Sequence, residues 1–408
     1  MAWGEARSDA CCAAILAACG LLLPFAAPGQ EASPVSPFVE EKIVHDSNIF
    51  KLSKSVDPAP LVGRPDRSDT YYVTSGGLNL DLLAGRQKFQ GNLSVNDTRY
   101  QRFRALNYTG HDLRADWLWQ IGNDASGELG YTQSASLASF ADILGTAPDR
   151  LKLQHAFVNG TYRITPSWRM FGGADAYQQR NSDAPRRVND VDIENGELAL
   201  RYVSAAEASI GVSVRAENGR FPVRQPVGAA LIDNAYRQNR AGLVAELPIT
   251  VASRVSGRID RVSRRYEQVS ARDFDGTTAR LQYDWKPTEK IGLVAIAQRD
   301  ISPFEYVRSS FVMINGVTLR PTYSITASVD LAGTFDASRR EYLGDPSVGL
   351  GLAPRRTDHV RSAGLLLTYR PLRTVTIQLN AQREQRTSNI AFGDYSANVA
   401  YFSARYAF

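Results

Sequence analysis

The last fourteen residues, Tyr395-Ser-Ala-Asn-Val-Ala-Tyr-Phe-Ser-Ala-Arg-Tyr-Ala-Phe408, show a strict alternation. One face carries Ala400, Phe402, Ala404, Tyr406 and Phe408, and the other carries Tyr401, Ser403 and Arg405. A period of two is typical of a β-strand with one apolar face. A transmembrane β-barrel uses such strands because its outer face contacts lipid. The alternative is a last strand packed on a soluble β-sandwich.

Composition is compatible with a membrane barrel. The chain has 408 residues, 43% of them hydrophobic, and a mean hydropathy of −0.27. Beyond residue 28 no run approaches the roughly 18 apolar residues that a spanning helix needs, whereas a barrel spreads its lipid-facing residues over alternate positions. Lys and Arg total 47 against 42 Asp and Glu, and the two signs are interspersed. This distribution gives no support to nucleic-acid binding.

The N-terminal region indicates export from the cytoplasm. Residues 1–27 contain an apolar stretch that ends in small residues, as in a secretory signal peptide. All three cysteines, Cys11, Cys12 and Cys19, lie inside this segment, so the mature chain has no cysteine, which suits an oxidising compartment. The residues before Cys19 also resemble a lipoprotein lipobox, but the apolar stretch continues past that cysteine. A cleaved signal peptide is therefore favoured.

The remaining sequence predicts a short linker at residues 28–42 and a single transmembrane barrel at 43–408. Alternating runs predict about eighteen antiparallel strands, with sixteen to eighteen compatible with the pattern. The first strand, at 43–53, is expected to pair with the last. Predicted strands lie near 43–53, 69–83, 86–100, 110–122, 125–138, 150–164, 167–180, 191–204, 207–220, 234–247, 250–266, 274–286, 289–301, 308–319, 323–338, 358–370, 373–387 and 395–408.

The connections alternate in length, as periplasmic turns and extracellular loops do in outer-membrane barrels. Five short turns are predicted at Pro166, Pro248, Pro287, Pro321 and Pro371, because proline is tolerated at strand ends. Turns fall about every 20 residues, which disfavours a sandwich, whose turns come every 8–12 residues. A β-propeller is disfavoured because each repeat shows two long strands and no Trp-Asp signature. Longer polar loops are predicted at 54–68, 139–150, 181–190, 221–234, 302–308 and 339–357.

The polar strand faces predict a water-filled lumen. Charges at every second position would be costly in a packed core but suit a wet interior. The abundance of Arg over Lys favours bidentate contacts with carboxylates or sugar acids, or with carboxylates of the wall itself. The residues expected to line the lumen are Arg114, Asp116, Arg201, Arg254, Arg258, Asp260, Arg280, Asp284 and Arg405.

Catalytic and metal-binding patterns are missing from the sequence. Its four histidines are scattered without metal-ligand spacing, and no serine lies in a nucleophile elbow. His359 beside Asp358 is the one pair considered for a rim-located enzyme. We therefore expect no enzyme, no metal and no cofactor.

Three segments near the N-terminus and the last strand resemble known outer-membrane proteins. Asp46-Ser-Asn-Ile-Phe-Lys-Leu-Ser53, with Ser68–Asp81 and Arg99–Phe103, resembles the EpsL-like barrels encoded with exosortase-linked exopolysaccharide gene clusters of Gram-negative bacteria. This resemblance implies a role in exopolysaccharide biosynthesis or export. A last strand that ends in Phe also resembles the insertion signal of outer-membrane barrels. The residues expected to form that signal are Phe402, Tyr406 and Phe408.

The leading functional hypothesis is a passive polar pore for polysaccharide export across the cell outer membrane. Its expected partners are outer-membrane lipid, the barrel-assembly machinery, the polysaccharide itself and periplasmic export proteins, with no nucleic acid. Two alternatives are left open. One is a general or sugar-selective diffusion porin, and the other is a plugged structural or assembly barrel.

Overall fold

The computed structural model describes residues 34–142, 145–227, 230–302, 311–344 and 354–408, and the predicted signal peptide lies outside them. The described chain is almost entirely antiparallel β-structure, with one short α-helix, α1 (Ala59–Val62). Four short 3-10 helices lie in the loops, at Arg104–Leu106, Phe140–Asp142, Ala184–Asn189 and Ser270–Arg272. The strands are β1 (Val35–Asp46), β2 (Asp69–Ala84), β3 (Gln87–Tyr100), β4 (Tyr108–Ile121), β5 (Ala125–Leu137), β6 (Arg150–Thr165), β7 (Trp168–Asn181), β8 (Val191–Val203), β9 (Ser209–Arg220), β10 (Gln225–Val227), β11 (Ala230–Ile232), β12 (Tyr236–Thr250), β13 (Ser253–Tyr266), β14 (Phe274–Trp285), β15 (Ile291–Ser302), β16 (Phe311–Thr326), β17 (Val329–Leu343), β18 (Thr357–Leu372), β19 (Val375–Ser388) and β20 (Tyr395–Ala407).

Eighteen of these strands form one closed barrel. Each strand pairs with its neighbours along the chain, β9 pairs with β12, and β1 pairs with both β2 and β20. The strands β10 and β11 form a separate hairpin in the connection between β9 and β12. The predicted fold, the strand number and the pairing of the first strand with the last are confirmed.

Strand register divides every strand into an outward and an inward face. Leu243, Ile259, Leu281 and Leu365 share one face of the sheet, and about half of each side chain is exposed. We call the outward aliphatic surface of which they are part the apolar belt. Alternate residues, such as Asp260 at 2% exposure, face the interior. This arrangement is the reverse of a soluble protein and matches a barrel surrounded by lipid.

The two rims of the barrel differ. Short turns join the strands at one rim, where Gly85 and Gly122 adopt positive φ angles of 62° and 60°. Long loops join them at the other. We call these the short-turn rim and the long-loop rim. Outward aromatic residues concentrate near the short-turn rim and include Tyr162, Trp168, Tyr202, Trp285, Tyr369 and Tyr406.

The predicted position of the first strand is wrong. Strand β1 covers Val35–Asp46, whereas Ser47 begins a loop. Most of the predicted 28–42 linker is therefore strand, and its first residues lie outside the described ranges. Two charged residues of the predicted linker, Glu40 and Lys42, lie on the inner face of β1, where Lys42 Nζ is 3.6 Å from Glu40 Oε1.

Three of the predicted proline turns are also misplaced, because Pro248, Pro321 and Pro371 lie within strands. Pro321 is the clearest case, since β16 continues past it to Thr326. Gly333 on the adjacent strand makes room for the ring: a Cβ atom there would lie 3.0 Å from Pro321 Cγ. The glycine leaves space for the ring, and the ladder between β16 and β17 is interrupted at Arg320 and Pro321, as expected where the proline N–H is missing.

Candidate functional site

The nine predicted lumen residues all lie on the inward strand faces. Each occupies a position alternate to an exposed residue of the apolar belt, such as Arg258 beside Ile259 and Arg280 beside Leu281. Their contacts with other strands agree with this placement. Whether these residues contact a solute stays a prediction.

Arg258 is the centre of an ion-pair network on the inner wall. Its Nη2 donates to Glu197 Oε1 at 3.1 Å, and its Nε donates to Asp260 Oδ2 at 3.0 Å. Glu197 lies on β8, so the contact extends across β9 and β12 on the concave side of the sheet. Gly242 on β12 makes room for the Asp260 carboxylate, because a Cβ atom at Gly242 would lie 2.4 Å from Asp260 Oδ1. The guanidinium remains 27% exposed to the interior.

A second chain of polar contacts follows the same wall. Arg215 Nε donates to Asn195 Oδ1 at 3.3 Å, and Asn195 Nδ2 donates to Asp175 Oδ2 at 2.9 Å. His155 Nε2 lies 3.4 Å from the same Asp175 oxygen. Four consecutive strands, β6 to β9, are thus linked by side chains. No motif in the sequence signalled these residues, because the network forms only when the strands are assembled into the sheet.

The other predicted residues are spread over the height and circumference of the wall. Arg114 pairs with Asp116, and Arg254 Nη1 lies 2.8 Å from Glu246 Oε1. Their side chains are 32% and 42% exposed. Arg280 donates to Gln298 Oε1 at 2.8 Å, while Asp284 accepts from Gln282 at 3.0 Å.

Two further predicted arginines stack on inward rings near the short-turn rim. Arg405 Cζ lies 3.6 Å from the ring centroid of Phe38, and Arg201 Cζ lies 5.7 Å from that of Phe171. The nine residues therefore form several groups rather than one constriction.

The three residues assigned to the insertion signal, Phe402, Tyr406 and Phe408, face outward and are 43%, 45% and 68% exposed. The rings of Tyr406 and Phe408 meet edge to face at 5.0 Å. Their position at the closing strand agrees with an interface anchor, and their role in insertion stays a prediction.

An apolar cluster covers one side of the long-loop rim. Phe50 from the β1–β2 loop contacts Phe103 from the β3–β4 loop and Phe140 after β5, at centroid distances of 4.9 and 4.8 Å. The cluster packs against Tyr71 and Tyr108, which are on inward strand faces. Three loops are thereby held over the lumen side of the rim rather than extending away from it.

The predicted first-strand motif beginning at Asp46 is the turn that builds this cover. Asp46 accepts a hydrogen bond from the Asn48 backbone at 2.8 Å and pairs with Lys51 at 2.9 Å. Asn48 Nδ2 donates to the carbonyls of Leu52 and, on β20, Ser396, at 2.9 and 3.1 Å. The motif therefore folds a loop and attaches it to the closing strand.

A second cover lies on the opposite side and depends on two buried arginines that the sequence did not single out. Arg272, 2% exposed, donates to Gly344 O at 3.1 Å and also to Gln225 and Asn234. It thus ties three loops together. Below it, Arg264 Cζ lies 4.0 Å from the Tyr236 ring centroid. Arg272 lies in a loop, where no strand period marks it, whereas Arg264 lies on β13 and shares the inward parity of Arg258.

The pair His359 and Asp358 does not form a catalytic site. Asp358 faces inward and is fully buried, where it accepts hydrogen bonds from Tyr342 Oη at 2.8 Å and Arg356 Nη2 at 2.6 Å. His359 is the adjacent residue on the strand and faces outward. Among the described residues there is no group of three or more His, Cys, Asp or Glu side chains suited to hold a metal. No helix in the described ranges is long and apolar enough to cross a membrane.

Comparison with known proteins relates the chain to porins. The family model described as Putative beta-barrel porin 2 matches residues 256–408, which is less than half of the chain. The comparison with curated proteins gives no match. Among solved structures, the outer membrane protein opdK from Pseudomonas aeruginosa and Acinetobacter baumannii OccAB3 are each 9% identical, with TM-scores of 0.48 and 0.47. Both alignments cover 92% of this chain and 99% of the other. At these values the similarity says nothing about solutes or partners.

Proposed function

We propose that this chain is an outer-membrane diffusion porin of a Gram-negative bacterium, with the long-loop rim facing outward from the cell. One observation carries the proposal. The barrel has an apolar outer belt, and its inner wall is lined with charged and polar side chains over its height. Charges spaced in this way are compatible with a wet lumen and would be costly in a packed core.

The proposed solutes are small acidic or hydroxyl-rich molecules, including sugar acids. The guanidinium groups of Arg114, Arg254 and Arg258 lie at different heights and are partly exposed to the lumen. Arginine recognises carboxylates through paired hydrogen bonds, so a solute carboxylate has several places to make brief contacts along the wall. The two loop covers narrow the approach and favour small solutes over a wide polymer.

The exopolysaccharide role rests on the sequence resemblance alone and stays a prediction, as does the plugged barrel. The proposed porin and these two alternatives differ in what crosses a membrane. We would reconstitute the protein in liposomes and compare swelling in a neutral hexose, in the corresponding uronate and in a polysaccharide. A porin of the proposed kind admits the first two and excludes the polymer. If none of the three enters, the pore is closed and the proposal fails.

A further inference from the structure

The outer surface near the long-loop rim carries a row of exposed arginines on the strands from β12 to β19. On the described outward positions of these strands only two carboxylates occur, Asp275 and Glu341. The surface is therefore strongly basic, although the whole chain has a net charge of only +5. We call this row the arginine collar: Arg237, Arg261, Arg265, Arg299, Arg339, Arg361 and Arg383.

Most of the arginine collar is not neutralised by the protein. Arg265 pairs with Asp275 at 2.7 Å, and Arg339 pairs with Glu341 at 2.8 Å. The other five collar arginines form no ion pair within the part of the chain that the structure describes, although Asp275 lies diagonally across the strand pair from Arg261 and offsets part of its charge. Arg237 lies directly opposite Arg265 in the register of β12 and β13, which places two like charges side by side, and only Arg265 has carboxylate partners, Asp275 and Asp273.

Two collar arginines lie close to the outer edge of the apolar belt. Arg261 is eight residues from Ser253 at the short-turn end of β13, and Arg299 is eight residues from Ile291 on β15. At about 2.5 Å of height per residue of a tilted strand, both lie about 20 Å above that end. The apolar band of a barrel is about 25 Å tall, and arginine side chains extend toward the interface. Their guanidinium groups thus reach the outer edge of the belt.

Arg299 is held in place without a carboxylate. Its Nη1 donates to Asn315 Oδ1 at 2.9 Å, and its Nε donates to the Thr277 carbonyl at 3.1 Å. These contacts keep the side chain across three strands, β14 to β16, on the outer surface. Arg261 lies opposite Thr277 in the sheet, and Arg299 lies opposite Ala279, two residues further along β14, with its side chain extended to the Thr277 carbonyl. A guanidinium fixed by neutral partners keeps its full charge for an external anion.

Toward the short-turn rim from Arg299 and Asn315, the outer surface has a shallow groove. Its floor is made of small side chains, including Gly257, Ala279 and Ala297, and Ala337 lies at its side. The same groove is continuous with Arg299 and Asn315. Small residues on the outward face leave an apolar space next to a basic group. This arrangement complements a lipid that has an anionic head and an acyl tail.

We propose that this surface binds a phosphorylated glycolipid of the outer leaflet, with a phosphate between Arg261 and Arg299 and an acyl chain in the groove. The inference rests on the outer-membrane location proposed above but not on conduction through the lumen. The positive charge of the arginine collar favours a lipid phosphate over a second copy of this chain as the bound partner. A second copy of this chain placed here would bring two arginine collars together, whereas a phosphate complements them.

Native mass spectrometry of the purified protein in detergent tests the proposal. The probes are bisphosphorylated lipid A, the same lipid without its phosphates, and inorganic pyrophosphate as a soluble phosphate source. We expect stoichiometric binding of the bisphosphorylated lipid alone. The double variant Arg261→Gln/Arg299→Gln is expected to weaken that binding by about tenfold or more, since it removes two charged contacts. Arg261→Lys/Arg299→Lys is expected to retain part of it.

The control is Arg99→Gln, because Arg99 is an exposed outward arginine on β3, outside the collar. It is expected to bind the lipid as the unmodified protein does. Heat-modifiable migration on a gel shows that each variant is folded. Three results would each overturn the proposal. They are equal binding of both lipids, unchanged lipid binding by the Gln double variant, and binding of pyrophosphate as tight as that of the lipid. So would an oligomer that the double variant dissociates. Loss of lipid binding with normal liposome swelling leaves the porin proposal intact.

Discussion

The two faces of β13 use the same residue type in different ways. Arg258 faces the lumen and is paired with Glu197 and Asp260. Arg261, three residues along, faces outward and has no ion pair among the described residues. Several other inner arginines also pair with carboxylates of the wall, as with Arg240 and Asp300 at 2.9 Å, whereas most of the arginine collar does not.

This difference follows from what each face contacts. An inner arginine that is largely buried would be costly without a partner, and a carboxylate of the wall offsets that cost. An outer arginine at the lipid interface meets anionic headgroups, so a protein carboxylate is not required there. Alternate residues of one strand therefore have different roles: the inward ones line the pore, and the outward ones contact the membrane.

Removing the end of the closing strand is expected to have the largest effect. Deletion of Tyr406–Phe408 removes backbone pairs of β20 with β1 and β19 and also removes the outward aromatic anchor. The barrel is then expected not to close. We expect no folded protein in the outer-membrane fraction and no heat-modifiable band. Phe392→Ala, which changes an exposed aromatic residue in a loop, is the control and is expected to assemble. Normal migration of the truncated chain would contradict the assigned role.

Inner and outer ion pairs are expected to differ in strength. Asp358→Asn leaves Arg356 and Arg386 without their buried carboxylate, which should cost about 3–5 kcal/mol of unfolding free energy. Asp275→Asn removes the partner of the exposed Arg265 and should cause no measurable change. Urea unfolding of the barrel in lipid vesicles measures both. An equal loss of unfolding free energy in both variants would contradict the proposed difference between inner and outer ion pairs.

Charge inserted on opposite faces of β13 is a direct test of the register. Ile259 lies near mid-height of the apolar belt, so Ile259→Arg should destabilise the barrel by about 2–4 kcal/mol. Ser256 is on the inward face, and Ser256→Arg should change stability little. The same urea titration compares them. A larger cost for the Ser256 variant would mean that the lumen is packed.

The smallest effect on the barrel is expected from loosening one loop cover. Phe50→Ala removes the ring between Phe103 and Phe140, while the strands below are unaffected. Single-channel conductance should rise because the three loops move more freely over the rim. Leu61→Ala, in the same connection but half exposed, should leave conductance unchanged. Equal conductance of the Phe50 variant would show that this cover does not limit the pore.

The fold was predictable because the strands of a membrane barrel alternate apolar and polar residues. Runs such as Val375–Ala381 show the period of two directly, and closure requires only that such runs repeat. Prediction failed where another factor decided the structure. Glu40 and Lys42 looked like linker charges but pair on the inner wall, and Pro321 lies within a strand beside Gly333, which leaves space for its ring.

The candidate site was predictable only in part for the same reason. Parity places Arg258 on the inner face, but its partner Glu197 lies three strands away and is known only once the sheet closes. Arg272 joins three irregular loops, and no local pattern marks such a residue. Contacts that depend on the closed ring cannot be read along one strand.

The reversal potential in planar bilayers tests the central claim that the inner arginines shape an open pore. Measurements across a salt gradient would compare the unmodified protein with Arg258→Gln and Arg261→Gln. Arg258→Gln leaves Glu197 and Asp260 in surplus, so we predict an open channel whose selectivity shifts toward cations, while Arg261→Gln conducts as the unmodified protein does. Absence of current from folded protein, or equal shifts in both variants, would contradict the account.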